Sequence, residues 1–426
     1  MVGGADEPGA RMGEMKLSIC IPTYNRERYL HNTLSRCAAD FKFAFPYEIV
    51  ISDNASTDDT KRVVDEFIAK GLPIRYHRRA ENGGALRNIV SSLRHAVGEY
   101  ALYLADDDVL IADQVAAIVA YLDANPDVVT CQAPWFLYDE VANRDTGQFY
   151  RVDRDTKFAR RSFAEVFQFI YERHIFPEIG IYRTAALRSA WVLREFCFAP
   201  FPYLAHFLDQ GAVTFLKQPF YRSVTVSKIE PRRHQAGNEE VMTFWDRYRG
   251  GLEYFLYFGV KRGSIANTRE ARAAFEEKCK IFTFNRMAVA ARFWAARNDF
   301  VKVYELFTRM AVGGMADHPD MVKLREVLPL RVALQTLAYQ VGATAGLDRL
   351  ILSGMADPAA IGDLLRDCGV EPRIEILDDS AAHDPARIES TAVFVSDQQR
   401  RGKYLSMGYK PGLIFTEQEL VRHILV

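Results

Sequence analysis

The sequence predicts an α/β protein built on a mainly parallel, Rossmann-like sheet. Strand and helix patterns alternate four times within about the first hundred residues, polar clusters recur after every strand, and a shorter alternation returns beyond Gly346. The first strand is the apolar run Leu17 to Ile21, closed by Pro22-Thr-Tyr-Asn-Arg26. A helix follows from Arg28 to Ala39, with Tyr29, Leu30, Leu34 and Cys37 at near-helical spacing. The second strand, Tyr47 to Ser52, runs into Asp53-Asn-Ala-Ser-Thr-Asp-Asp59. There Ser56 or Thr57 is placed to cap a helix carrying Val63, Val64, Phe67 and Ile68. The third strand, Ile74 to His77, leads to Glu81-Asn-Gly-Gly-Ala-Leu-Arg-Asn88 and another helix. The fourth, Tyr100 to Ala105, ends in Asp106, Asp107 and Asp108. All these clusters fall at the carboxyl ends of strands, where open parallel sheets bind ligands.

Beyond Asp113 the pattern predicts a helix stopped by Pro126, a strand from Val128 to Phe136, and a polar excursion from Tyr138 to Arg161. Ile175 to Tyr182 reads as a strand and Ala185 to Glu195 as a helix. A Pro- and Phe-rich turn, a short helix through Leu208, and closing strands Val213 to Phe215 and Phe220 to Val226 follow. Residues 240 to 340 carry aromatic-laden helical patterns, which predict the core of a helical region. From Gly346 four short strands, Leu350 to Leu352, Ile374 to Leu377, Ala392 to Val395 and Leu413 to Phe415, alternate with helices Pro358 to Cys368 and Gln398 to Met407. The expected organisation is a loose tail over 1–15, an α/β domain over 16–235, a helical subdomain over 236–345 and a small α/β module over 346–426. The default role of that module is docking or homo-oligomerisation.

Composition narrows the function classes. With 49% hydrophobic and 26% charged residues and a net charge of −1, the chain of 426 residues is ordinarily globular and gives no sign of nucleic-acid binding. Its six cysteines are far apart and show no zinc spacing, which favours a reducing, cytoplasmic setting. No run approaches the roughly 18 apolar residues of a membrane span, and the first fifteen lack the apolar core of a secretory signal. Contact with the inner face of the cell membrane would be peripheral.

Three carboxylates at one strand end repel one another and are stabilised by a cation; oxygen ligands suit Mg²⁺ or Mn²⁺. The alternative at that position is a solvated acidic turn capping the next helix.

Four ordered motifs, Leu17-Ser-Ile-Cys-Ile-Pro-Thr-Tyr-Asn-Arg26, Ile49-Val-Ile-Ser-Asp-Asn-Ala-Ser-Thr-Asp-Asp59, Asn82-Gly-Gly-Ala-Leu-Arg-Asn88 and Leu104-Ala-Asp-Asp-Asp108, resemble family 2 glycosyltransferases of the GT-A fold, in particular bacterial enzymes of surface polysaccharide synthesis. The resemblance covers residues 16 to 235. It implies an inverting, metal-dependent transfer from a UDP, dTDP or GDP sugar to the hydroxyl of a saccharide or polyprenol-linked acceptor. By the same resemblance Pro22, Thr23, Tyr24 and Asp53 hold the base, Asn82 and Gly83 shape the loop, and Arg87 meets phosphate or Asp106. Asp106 and Asp107 face the nucleotide sugar, Asp108 binds the metal, and His234 completes its shell.

The family places an Asp or Glu at the start of a helix about ninety residues after the metal motif. Here that stretch is Phe198-Ala-Pro-Phe-Pro-Tyr-Leu-Ala-His-Phe-Leu-Asp209, with no acid at the helix start. Glu178, His206 and Asp209 are therefore the candidate general bases. A nucleotidylyltransferase is disfavoured, since Pro-Thr-Tyr-Asn-Arg stands where such enzymes carry a Gly-rich basic loop. A non-catalytic nucleotide-sugar sensor or scaffold is the competing reading, supported by the missing acid.

Overall fold

The computed structural model describes residues 15–190, 196–230, 245–380 and 383–426. The chain divides into two compact units, Met1–Asn238 with Phe244–Lys280, and Glu239–Thr243 with Ile281–Val426. The division at 280/281 lies beyond the 235/236 boundary read from composition.

In the first unit, β1 (Leu17–Thr23), α1 (Glu27–Asp40), β2 (Tyr47–Asp53), α2 (Thr60–Ala69), β3 (Ile74–Arg78), α3 (Ala85–Arg94) and β4 (Tyr100–Tyr103) follow the predicted order. Then come β5 (Val109–Leu110), α4 (Ala112–Ala124), β6 (Val128–Gln132), β7 (Trp135–Asp139), β8 (Arg144–Gln148) and β9 (Thr156–Phe158). The unit continues through α5 (Phe163–Arg173), β10 (Gly180–Arg183), α6 (Thr184–Ser189), α7 (Pro200–Gln210), β11 (Ala212–Phe215) and β12 (Tyr221–Val226). One sheet runs β3-β2-β1-β4-β10-β6-β11-β9, and a second runs β5-β12-β7-β8. In the large sheet β1 to β4, β6 and β11 share one direction, while β10 and β9 oppose it. β1 is central and buried on both faces, which explains its unbroken apolar run. Its register sets Thr23 beside Asp53 and Cys20 beside Tyr103. Three further residues bring Thr23 level with Asp106.

Four sequence expectations need correcting. The strand expected over Val128 to Phe136 is split at Ala133-Pro134 into β6 and β7, which lie in different sheets. The excursion from Tyr138 holds β8 and β9, terminal strands of their sheets, which are too short and polar to show alternation. The strand expected from Ile175 starts only at Gly180; Ile175, Phe176 and Ile179 are apolar because they are buried, so Glu178 lies before β10. Neither Ser56 nor Thr57 caps α2. Ser56 accepts from the Asn25 N–H, and the Asp58 carboxylate takes the Thr60 N–H instead. Of the helix expected over Ala185 to Glu195, Thr184–Ser189 is observed and 191–195 lie outside the described residues.

Helix Trp245–Lys261 groups with the first unit and packs its Phe255 against Phe163 of α5. The second unit holds helices Phe300–Val312 and Leu328–Ala343 and a parallel sheet, β14-β13-β15-β16, of β13 (Arg349–Ser353), β14 (Glu375–Asp378), β15 (Thr391–Val395) and β16 (Ile414–Thr416). Alternate residues of its strands face two cores. Leu350, Leu352, Ala392 and Phe394 cluster with Leu334, Leu337 and Val341, while Ile351, Val393 and Val395 cluster with Tyr404 and Tyr409. Among the described residues no helix is long and apolar enough to cross a membrane.

Candidate active site

The carboxyl ends of β1 and β4 are joined by side chains. Thr23 Oγ1 donates to Asp106 Oδ2 at 2.7 Å, and Thr33 Oγ1 donates to the Asp106 carbonyl at 2.9 Å. Arg26 lies between two acids, its Nε 2.9 Å from Asp106 Oδ1 and its terminal nitrogen bonded to Asp107, with the guanidinium 4.1 Å over the Tyr29 ring. Burial pushes the Asp106 carboxyl up to about 6; Arg26 and Thr23 oppose the shift and Asp107 adds to it. Asp108 faces another way. Its Oδ1 accepts the Val224 N–H at 2.8 Å and its Oδ2 the Tyr221 hydroxyl at 2.7 Å, while the Tyr221 oxygen accepts the Ala105 N–H at 3.1 Å. Strand β12 is thereby fastened to the acidic turn.

The loops after β2 and β3 form the other side. Asp53 is buried, accepts the Ser56 N–H at 2.8 Å and the Tyr76 hydroxyl, and stands 3.7 Å from Arg78. Asn54 donates to Asn82 Oδ1 at 2.7 Å and accepts the Gly83 N–H at 3.0 Å, fixing the Asn82-Gly83-Gly84 loop, where Gly84 has φ +86°. Asn88 Nδ2 donates to the carbonyls of Thr23 at 3.1 Å and Ser52 at 3.0 Å, tying β1 to β2. Pro22 is the last residue but one of β1, and Tyr24 just beyond the strand is exposed. Arg87 is exposed in the first turn of α3, and it is Arg26, not Arg87, that lies against Asp106.

The three candidate bases separate. Asp209 sits at the end of α7, just before β11 begins, and therefore at the opposite sheet edge from the acidic turn. It is paired with Arg161 at 2.8 Å and Arg262 at 2.7 Å. His206 turns to Tyr254 at 3.0 Å and to Phe258, and burial lowers its pKa. Glu178 lies where β10 starts, beside the end of β6, at the same edge as the acidic turn. It is exposed and lines a cavity of about 240 Å³ together with Tyr103, Gln132, Pro200 and Tyr203.

Among the described residues no three Asp, Glu, His or Cys side chains converge as a metal cage, and His234 lies outside the described residues. The acidic turn still fits a hard cation. Its donors are carboxylate oxygens, and Asp108 is oriented by two hydrogen bonds, as ligating carboxylates are. Magnesium sites take one or two carboxylates and complete the shell with substrate phosphate and water.

The sequence profile of glycosyl transferase family 2 matches residues 18–186. This region is a family 2 glycosyltransferase domain. Over 118 residues the chain is 41% identical to abequosyltransferase RfbV of Salmonella typhimurium, an alignment that covers 28% of this chain and 35% of that protein. Over 115 residues it is 32% identical to the poly(ribitol-phosphate) β-N-acetylglucosaminyltransferase TarS of Staphylococcus aureus, 26% of this chain and 19% of TarS. The chain spans about a third or less of the length of these curated relatives. Among solved structures it resembles S. aureus TarS 1–349 in complex with UDP (TM-score 0.45, 17% identity, 83% of this chain and 88% of that one). It also resembles the Pyrobaculum calidifontis mannosyltransferase PcManGT in complex with GDP-Man and Mn²⁺ (TM-score 0.41, 16% identity, 74% and 84%).

Arg26, Asn54, Asn88 and Gln132 carry the site's geometry without having been assigned roles from sequence. The first three stand inside the matched motifs, so their signal was present; Gln132 carries none, because only the β10 pairing brings it in.

Proposed function

We propose that the family 2 domain transfers a sugar from a nucleoside diphosphate to an acceptor hydroxyl by direct displacement with inversion, and that Glu178 is the general base. The observation that carries this reading is the gathering of the Thr23 loop, the acidic turn and Glu178 at one sheet edge, all three within the residues the family profile matches, with a cavity beside Glu178 that α7 completes. Pro22, Thr23, Tyr24 and Asp53 hold the nucleotide base, the donor being of the UDP, dTDP or GDP type. Asn82 and Gly83 set the loop from which Arg87 meets phosphate, and Asp106 and Asp107 border the ribose and the donor sugar.

Asp108, with His234, would hold Mg²⁺ or Mn²⁺; the bound ion neutralises the departing diphosphate. Glu178 takes the acceptor proton as the acceptor oxygen bonds to the anomeric carbon and the bond to diphosphate breaks. The acceptor class is a saccharide or a polyprenol-linked saccharide of surface glycoconjugates, in keeping with the named activities of RfbV and TarS.

The test is a panel of nucleotide sugars assayed for binding and transfer. Glu178→Gln is expected to lower kcat by about 10²–10⁴ while donor affinity stays unchanged. Wild-type turnover in that variant removes Glu178 from the mechanism. The absence of an acid at the start of α7 favours a second reading, a non-catalytic nucleotide-sugar sensor. Donor binding with neither transfer nor hydrolysis would establish it.

A further inference from the structure

We propose that the cavity between α3 and α7 selects an acceptor ring that lacks hydroxyls on its buried side, a deoxyhexoside, and that Gln132 accepts a hydrogen bond from one of its remaining hydroxyls. This rests on the glycosyltransferase reading above. It adds the class of acceptor and a residue that recognises it.

Helix α3 is amphipathic in an unusual sense. Asn88 and Ser92 are its buried residues, whereas Leu86, Ile89, Val90 and Leu93, spaced i, i+3, i+4, i+7, are only half-buried and line the cavity. Pro200, Tyr203 and Phe207 of α7 face them across it. Leu93 also packs against Cys20, Val50 and Ala101 of the sheet, and the stripe it continues, Leu86, Ile89 and Val90, borders the open space and invites an apolar ligand face. At about 240 Å³ the space is smaller than the roughly 300–1,000 Å³ of drug-sized sites and suits a single ring.

The polar groups at the sheet end are of a different kind. Glu178 stands exposed at the lining, and Gln132, 1% exposed, donates through Nε2 to Thr130 Oγ1 at 3.2 Å and its amide also donates to the Tyr182 hydroxyl, which lines the same cavity, while its Oε1 is buried with no hydrogen-bond partner. A buried acceptor oxygen without a donor is costly, and a ligand hydroxyl supplies the missing hydrogen. Gly180 makes the position possible. A Cβ there would lie 2.9 Å from Gln132 Nε2 and 3.0 Å from Oε1, displacing the amide.

A fully hydroxylated hexose would bury hydroxyls against Leu, Ile and Val with nothing to accept or donate, and each would lose its hydrogen bonds to water. A 6-deoxy ring turns a methyl group to the same wall and keeps hydroxyls for Gln132 and Glu178.

The test is a ligand-observed NMR titration of the full chain with methyl β-D-galactopyranoside and its 6-deoxy counterpart, and with the matching gluco and manno pairs. These titrations are paired with donor-hydrolysis assays. At least one 6-deoxy glycoside is expected to bind about tenfold or more tightly than its parent. Gln132→Leu should weaken its binding about tenfold. Gly180→Ala should do the same by moving the amide. Parents that bind as well as all deoxy partners, or a folded Gln132→Leu and Gly180→Ala pair with unaltered affinity, overturn the proposal. Donor hydrolysis without glycoside selectivity sinks the acceptor assignment alone. Selectivity without any donor binding leaves the subsite standing and removes the transferase reading.

Discussion

Asn88 and Ser52 hydrogen-bond each other in both directions: Ser52 Oγ donates to Asn88 Oδ1 at 2.8 Å, and Asn88 Nδ2 donates to the Ser52 carbonyl at 3.0 Å. The same amide nitrogen reaches the Thr23 carbonyl. One side chain on α3 thus sets the spacing of the two strand ends that bear Thr23 and Asp53. Asn88→Ala is expected to destabilise the first unit by about 3 kcal/mol, since it orphans several buried groups at once. Urea unfolding of variant and wild type checks this, and a loss below about 1 kcal/mol would show the bonds to be dispensable.

The Tyr221 hydroxyl serves Asp108 and Ala105 together. Tyr221→Phe should cost about 1–3 kcal/mol and lower Tm by several degrees, because a buried carboxylate oxygen and a backbone N–H lose their partner. Asp108→Ala should lose stability as well as activity, so its activity loss alone says little about metal binding. Differential scanning calorimetry of both variants reads the effect; an unshifted Tm in either contradicts it.

His206→Phe and Asp209→Asn should retain transfer within about threefold of wild type, as one ring packs on Phe258 and the other side chain pairs with arginines at the far sheet edge. Asp209→Asn should cost about 1 kcal/mol of stability through its two ion pairs. Steady-state kinetics beside Glu178→Gln decides the matter, and a hundredfold fall in either variant would move the base away from Glu178.

His77 stacks on His95 with ring centroids 3.8 Å apart, and burial, then the neighbouring His95, lowers its pKa to about 4. A histidine titrating lower when folded than when unfolded releases its proton on folding. Its contribution is intact above the unfolded value of about 6.5 and is lost as pH falls toward 4. His77→Phe keeps a ring on His95 and removes the titration. Unfolding free energy measured from pH 7 to 4.5 should fall less steeply in this variant than in wild type; parallel curves would count against the assignment.

The order of elements in the first hundred residues was legible because β1 and β2 are buried on both faces and α1 and α2 each carry one apolar stripe. Legibility ended where burial and backbone pairing parted company. Ile175 and Phe176 are buried without being strand, and Arg144–Gln148 is strand without being buried. Among site residues, Asp106 to Asp108 announced themselves by composition. Their separate orientations did not, since Arg26 claims two of them and β12 the third through contacts no local pattern encodes. His206 and Asp209, in the stretch where the resemblance expects the base, stood as candidates beside Glu178, which precedes it. Strand direction separates Asp209 from Glu178, and the orientation of the ring separates His206.

The strand that fastens Asp108 is translated more than a hundred residues after it, and lies past residue 186, where the family profile ends. During vectorial synthesis the first four strands can therefore emerge and pair while the acidic turn still lacks its clasp. A fragment cut at the profile's end would inherit the recognisable motifs yet leave their geometry unfinished, and competence would arrive only once Tyr221 and Val224 had left the ribosome.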